Sequence, residues 1–383
     1  MRPRRFAALA LAAAVMIGPV PAVSEGPDTV TLVCCGDVIP HYEVMEAARQ
    51  GTDWDLRPVF EPVADLIAGA DYAFCTLESP IAEPLSYYPQ FSAPEALPRD
   101  LMAVGFDMFC LASNHICDRR FRGICSTLDA LDRLGADHTG IYRSPEERAE
   151  QRGVLIREIG GITFAFLDYT STTNQYRMEG QEFAVRTLYA DFWSTAPRML
   201  LDEDITLDIQ TAKAAGADVI LAVCHWGTEF HTVPDAAQQE LADFMIGQGV
   251  DVILGSHPHV PQTAERRTVT GPDGTERTGV VFFSMGNFLS AMTNDAGDVT
   301  PLVELEFHRD PDIGKPELLR AEYRPLYRCW DKHSPEPFHL VDTDRIRAGE
   351  LPGWADEGLI QKAEAKRERL LAIVGQELYG KRQ

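Results

Sequence analysis

The sequence predicts an α/β protein with a largely parallel central sheet and antiparallel strands added late in the chain. Three observations carry this. Several apolar runs of about five or six residues are nearly continuous rather than alternating, which marks strands covered on both faces. Segments of helical period lie between several of them, as in βαβ units. After Asn287 the strand-like runs follow one another without helices between them.

The elements follow in order. Residues 30–35 form an apolar run that ends in Gly36-Asp37, and 71–77 one that ends in Glu78. The run 106–112 ends in Ser113-Asn114-His115, and 219–224 in His225-Trp226-Gly227. The run 250–254 ends in Gly255-Ser256-His257-Pro258-His259, and 280–283 in Ser284-Met285-Gly286-Asn287. Helical spacing covers 62–70, 126–134, 207–215 and 236–248, with Gly135, Gly216 and Gly249 as C-terminal stops. Residues 154–159 and 162–168, joined by Gly160-Gly161, read as a hairpin. A Gly-Pro-Asp-Gly turn lies within 268–279; 302–307 and 321–327 read as strands, and 356–377 as a terminal helix. The Pro-, Ser- and Tyr-rich segment 83–98 reads as a loop suited to the rim of a substrate site. No linker is evident, so 30–300 is expected to form the body of one domain and 301–383 to complete it.

Composition narrows the partners. Lys and Arg total 35 against 58 Asp and Glu, a formal charge of −23 over 383 residues. Phosphate backbones need clustered cations, so nucleic acid is not an expected partner. Residues 1–24 read as a signal peptide: Arg2, Arg4 and Arg5, then an apolar run over 6–18, then a small-residue region with Ala22 or Ser24 at the cleavage edge. The run is short for a bilayer span, and no other segment resembles one, so no transmembrane segment is expected unless this one stays uncleaved. The expected location is secreted, periplasmic or otherwise in the cell envelope. Cys34, Cys35, Cys75, Cys110 and Cys224 lie within the apolar runs and are expected to be buried hydrophobes. Cys117, Cys125 and Cys329 lie outside them, free or paired.

Ligands of open α/β sheets bind outside the carboxyl ends of the strands. Those ends carry Asp37, Glu78, Asn114, His115, His225, His257, His259 and Asn287, with no Lys or Arg among them. A mixed oxygen and imidazole set suits Mn²⁺, Fe²⁺ or Zn²⁺ better than Ca²⁺. Paired ions can stabilise both the attacking and the leaving oxygen of a phosphoryl transfer. Taken singly, each residue has an ordinary structural role open to it: Asp37 as a helix cap, Glu78 as a solvated loop acid, Asn114 as a turn residue, His225 as a core histidine. The His-Pro-His of 257–259 is harder to place that way. An extended backbone, which proline favours, would set both imidazoles on one side.

The ordered motifs Gly36-Asp37, Leu77-Glu78-Ser79-Pro80, Asn114-His115 with Asp118, His225-Trp226-Gly227 with Glu229, His257-Pro258-His259 and Gly286-Asn287-Phe288 resemble the CapA family of capsule-synthesis (poly-γ-glutamate biosynthesis) proteins. The resemblance runs from about residue 30 to 288. It implies a metallophosphatase-like layered αββα sandwich, similar to calcineurin-type metallophosphoesterases. It also implies metal ligands at Asp37, Glu78, Asn114, His225, His257 and His259, His115 as the acid that protonates the leaving group, and Asp118, Glu229 and Asn287 as contacts to substrate or to the ligands. Where a metallophosphoesterase carries histidine two residues after the first acid, this chain has Ile39, with His41 as the nearby substitute. Glu78 stands for the usual Asp, and Ser113 for a frequent Asn. The implied activity is that of a metal-dependent phosphoesterase or hydrolase using two divalent ions in the envelope, on a small-molecule or capsule-polymer substrate. The competing expectation is a non-catalytic envelope protein that binds, anchors or helps export an anionic capsule polymer.

Overall fold

The computed structural model describes residues 29–196, 198–294, 296–309, 314, 316–330 and 338–380. The expected signal peptide, 1–24, lies outside the described residues. The strands are β1 (Thr29–Val38), the short ribbon β2 (Arg49–Gln50) and β3 (Asp53–Trp54), β4 (Tyr72–Leu77), β5 (Met108–Cys110), β6 (Asp137–Thr139), β7 (Val154–Ile159) and β8 (Ile162–Thr170). Then come β9 (Val219–His225), β10 (Val252–Ser256), β11 (Ala264–Thr270), β12 (Glu276–Phe282), β13 (Asn287–Leu289), β14 (Val299–Arg309), β15 (Pro316–Trp330) and β16 (Phe338–Asp342).

Two mixed sheets share the parallel strands. One has the order β16-β15-β14-β1-β4-β5-β6, with β13 also paired to β1; β1, β4, β5, β6 and β13 are parallel, and β14 to β16 add antiparallel. The other has the order β11-β12-β10-β9-β8-β7, parallel from β8 through β12, with antiparallel strands at both edges. The late antiparallel strands thus extend the first sheet, as the absence of helices between them led one to expect.

Side-chain alternation explains why the runs are apolar throughout. Leu32, Cys34, Phe74 and Cys110 of the first sheet share an inter-sheet core with Phe164, Phe166, Leu221, Val223 and Leu254 of the second. The alternate residues Val33, Cys35, Ala73 and Cys75 pack outward with Leu97, Leu101, Ile124 and Leu128 of the helices Ala96–Val104 and Arg120–Leu134. Ala165, Leu167, Ile220, Ala222 and Ile253 pack outward with Ile205, Ile209, Leu241 and Met245 of the helices Asp202–Ala214 and Ala236–Gln248. Four layers result, helix, sheet, sheet and helix, and no central strand turns a face to water. The layered αββα sandwich is therefore what the chain builds.

Local signals set the element ends. Asp235 and Gln238 form a capping box at the start of Ala236–Gln248, and Gly249, at φ +107°, ends that helix. Gly135 does the same at φ +73°, whereas Gly216 lies one residue beyond the cap at Ala215. The hairpin β7–β8 turns through Gly160 and Gly161, both at positive φ. All eight cysteines are free; Cys34, Cys35, Cys75, Cys110, Cys117 and Cys224 are buried. No helix among the described residues is long and apolar enough to cross a membrane.

One glycine matters for the site. The register of β1 against β4 slips between Cys35 and Asp37, so Gly36 is the extra residue of a bulge. A Cβ on Gly36 would lie 1.9 Å from the Gly286 carbonyl oxygen. Gly36→Ala is expected to cost about 3 kcal/mol or more, because the obstacle is backbone; a urea midpoint unchanged from the parent protein would refute this.

Candidate metal centre

The bulge turns Asp37 into the end of β1, level with Asn287 of β13 and Thr76 of β4. Glu78 follows β4 directly, its N–H held by the Val38 carbonyl at 3.1 Å. Asn114 and His115 sit in the tight turn after β5, where Ile116 N–H reaches Ser113 O and Asp118 N–H reaches His115 O. His225 is the last residue of β9, and His257 follows β10. Both sheets therefore contribute, and hydrogen bonds between the layers tie the groups together. His257 N–H donates to Asp37 Oδ2 at 3.0 Å, and Asn114 Oδ1 lies 3.0 Å from His225 Nε2.

The cluster is buried and holds two carboxylates among imidazoles. Asp37 and Glu78 are fully buried. Asp37 Oδ1 and both Glu78 oxygens accept no hydrogen bond. Among the described residues their ion pairs run only to imidazoles: His225 Nδ1 is 3.6 Å from Asp37 Oδ1, His225 Nε2 is 3.7 Å from Glu78 Oε1, and His259 Nδ1 is 4.0 and 3.9 Å from Asp37 Oδ2 and Glu78 Oε2. Asp37, Glu78 and His259 each offer a ligand atom, all within 4.8 Å of one another. His257 Nδ1 lies 3.1 Å from His225 Nε2. Buried acceptors without donors are costly, and a divalent cation is the partner that this donor set fits.

Electrostatics agree. Burial pushes the Asp37 carboxyl up to about 7, against the pull of the His257 N–H. Burial, together with the Asp37 charge, drives Glu78 well above the usual carboxylate range. Burial and the neighbouring imidazoles depress His225, and bring His257 down to about 3 and His259 to about 4. Neutral imidazoles beside carboxyls that ionise reluctantly form a site completed by added positive charge.

The surrounding groups orient the cluster. The Ser256 hydroxyl oxygen can accept from His225 Nδ1 at 2.9 Å, which leaves the Nε2 lone pair, 3.0 Å from Asn114 Oδ1, free to ligate. Asn287 Oδ1 lies 3.0 Å from His259 Nδ1. Asp118 Oδ2 accepts from His115 Nδ1 at 2.7 Å and from the Phe91 N–H at 2.6 Å, so one carboxylate oxygen fixes both the imidazole and the loop expected to form the rim. The Phe91 ring meets His115 edge-on with centroids 4.7 Å apart.

One expectation changes. The His-Pro-His backbone is not extended: His257 and His259 have φ of +94° and +61°. The imidazoles still converge, because the Asp37 carboxylate holds the His257 N–H and the Pro258 carbonyl accepts the Phe230 N–H at 2.8 Å. Left-handed non-glycine residues cost roughly 1–3 kcal/mol each and tend to collect at functional sites. His41, the substitute for the missing histidine, stands at the rim: its Nδ1 accepts the Ala291 N–H at 3.3 Å and its ring meets Phe91 edge-on at 5.3 Å. Burial lowers it to about 4. Glu229 is exposed and lines a cleft beside His257.

Three further residues at the site escaped the sequence reading. Ser256 orients His225, and its place before His257 was the available signal. Asn174 reaches Asn114 Oδ1's amide partner Nδ2 and His115 Nδ1, each at 3.4 Å, from a segment without motif or period. Phe91 lay inside the expected rim loop, but nothing local singled it out.

Residues 31–292 match the family model described as "Bacterial capsule synthesis protein PGA_cap". The chain is similar to the capsule biosynthesis protein CapA of Bacillus anthracis, 26% identical over 270 residues, covering 68% of this chain and 60% of that protein. It is also similar to the PGA biosynthesis protein CapA of Bacillus subtilis (strain 168), 24% identical over 268 residues, covering 68% and 63%. The matched region thus spans less than two thirds of either relative's length. Among solved structures, the calcineurin-like phosphoesterase YfkN from Bacillus subtilis aligns with a TM-score of 0.40 and 14% identity, covering 89% of this chain and 97% of that one. The Haemophilus influenzae NAD nucleotidase aligns with a TM-score of 0.44 and 11% identity, covering 89% and 60%.

Proposed function

Because the chain belongs to the bacterial capsule synthesis protein family PGA_cap, we propose that it serves capsule polymer biosynthesis in the cell envelope as a metallophosphatase-like, metal-dependent phosphoester hydrolase. One observation carries the reading: three fully buried carboxylate oxygens of Asp37 and Glu78 accept no hydrogen bond and face only imidazoles. Asp37, Glu78, Asn114, His225, His257 and His259 would hold two divalent ions of the Mn, Fe or Zn class. Such ions, when bound, supply Lewis-acid stabilisation of the attacking and leaving oxygens.

The chain's own groups do the rest. Asp118 accepts from His115 Nδ1 and so orients that ring for the proton transfer to the departing oxygen. Asn287 and Ser256 fix the rings of His259 and His225. Phe91 closes one side of His115 against water. The same reading takes residues 30–383 as one domain, since β14 to β16 extend the sheet that carries Asp37.

Elemental analysis of the purified protein, beside His257→Ala, tests this. About two equivalents of Mn, Fe or Zn are expected, with most of the metal lost in the variant. Near-zero metal after incubation with all three would overturn the hydrolase and leave a polymer-binding protein as the better account.

A further inference from the structure

Resting on the metal-centre reading, we propose that the cleft beside His257 binds a saccharide unit bearing hydroxyl and amine groups, and not a polyanionic segment. The cleft holds about 540 Å³, within the usual range for small-molecule sites. It is walled by Ser171, Thr172, Asn174, Tyr189, Thr228 and Glu229, and reaches His257 itself. Asn174 ties it to the leaving-group side of the centre, since its side chain also meets Asn114 and His115 at 3.4 Å.

The lining decides the ligand class. Hydroxyls and side-chain amides both donate and accept, which matches sugar hydroxyls. None of the described residues that line the cleft is Lys or Arg. The carboxylates of an anionic chain bring acceptors only, and would meet those of Glu229 and Asp235 with no Lys or Arg on the cleft wall to offset them. These two acids differ. Asp235 is committed to the start of the helix Ala236–Gln248, accepting the Gln238 N–H at 2.9 Å and the Thr228 hydroxyl at 3.5 Å. Glu229 is exposed on the cleft wall, and no Lys or Arg pairs with it among the described residues. A carboxylate among hydroxyls and amides, without a Lys or Arg partner among the described residues, suits an ammonium group, through a charge-assisted hydrogen bond. The polymer-facing part of a capsule substrate would then lie outside this cleft, with the sugar held against His115.

Calorimetric titration of the full chain, with and without Mn²⁺, uses three probes: a glucosamine trisaccharide, its N-acetylated counterpart and a γ-linked glutamate pentamer. The amine-bearing trisaccharide is expected to bind at least about ten-fold more tightly than the pentamer. Glu229→Gln should weaken it about ten-fold and move the N-acetylated sugar by less than about twofold. Glu229 is exposed, so the variant should fold as the parent does, which an unchanged melting temperature verifies. Pentamer binding as tight as either sugar, no sugar binding at all, or an equal loss for both sugars in Glu229→Gln would each overturn the proposal. Metal content read in parallel separates the two ideas. A protein that holds metal but prefers the pentamer refutes the cleft assignment alone; one that binds the sugar without holding metal refutes the metal centre alone.

Discussion

Glu78→Gln should strip the protein of at least one metal equivalent and lower phosphodiester hydrolysis by on the order of 10³-fold, since several kcal/mol of charge stabilisation would be lost. The substitution is nearly isosteric, and burial already favours the neutral form of this side chain. The metal-free variant should therefore unfold at the same temperature as metal-free parent, while only the parent gains stability on adding Mn²⁺. A variant that melts far below the metal-free parent would show instead that Glu78 is structural. The Asp37 carboxyl adds a pH signature. Its level is raised from 3.8 to about 7 in the folded chain, so its contribution to stability is full below about 4 and is lost as pH climbs through 7. Bound metal should remove that decline, because the carboxylate is then ionised on the cation; melting curves from pH 4 to 8 with and without Mn²⁺ would reveal it.

His115→Ala tests a different step and should leave metal content unchanged. Loss of a general acid costs roughly 10²–10⁴-fold, and the cost should fall on esters with poor leaving groups. A nitrophenolate leaves without a proton, so p-nitrophenyl esters should lose far less than alkyl esters. Asp118→Asn should fall between the parent and His115→Ala on alkyl esters, because it weakens the support of His115 without removing the ring. It also loosens Phe91, whose N–H shares the same oxygen. Equal losses on both ester classes would remove His115 from the acid role while leaving the metal centre standing.

Much of this site could be read before any fold was known. Apolar runs that stop at Asp37, Glu78, Asn114, His225 and His257 announce buried strands with polar carboxyl ends, because a strand covered on both faces must be apolar until it leaves the core. The hairpin at Gly160-Gly161, the helix over 236–248 and the late antiparallel strands came from the same local rules. The division of the parallel strands between two sheets did not. Nothing in the runs of β4 or β9 says which of two identical apolar faces meets a sheet and which meets a helix.

What the sequence determined by itself was therefore the donor set and its order, since residue type and strand ends are local properties of the chain. Tertiary structure alone decided how those donors meet. The backbone at His257 and His259 is left-handed, and a carboxylate 220 residues earlier captures the His257 N–H. Asn174 reaches His115 across 59 residues, and Glu229 faces a cleft whose other wall lies near residue 171. Contacts of that range depend on how the two sheets stack, and no local propensity encodes the stacking.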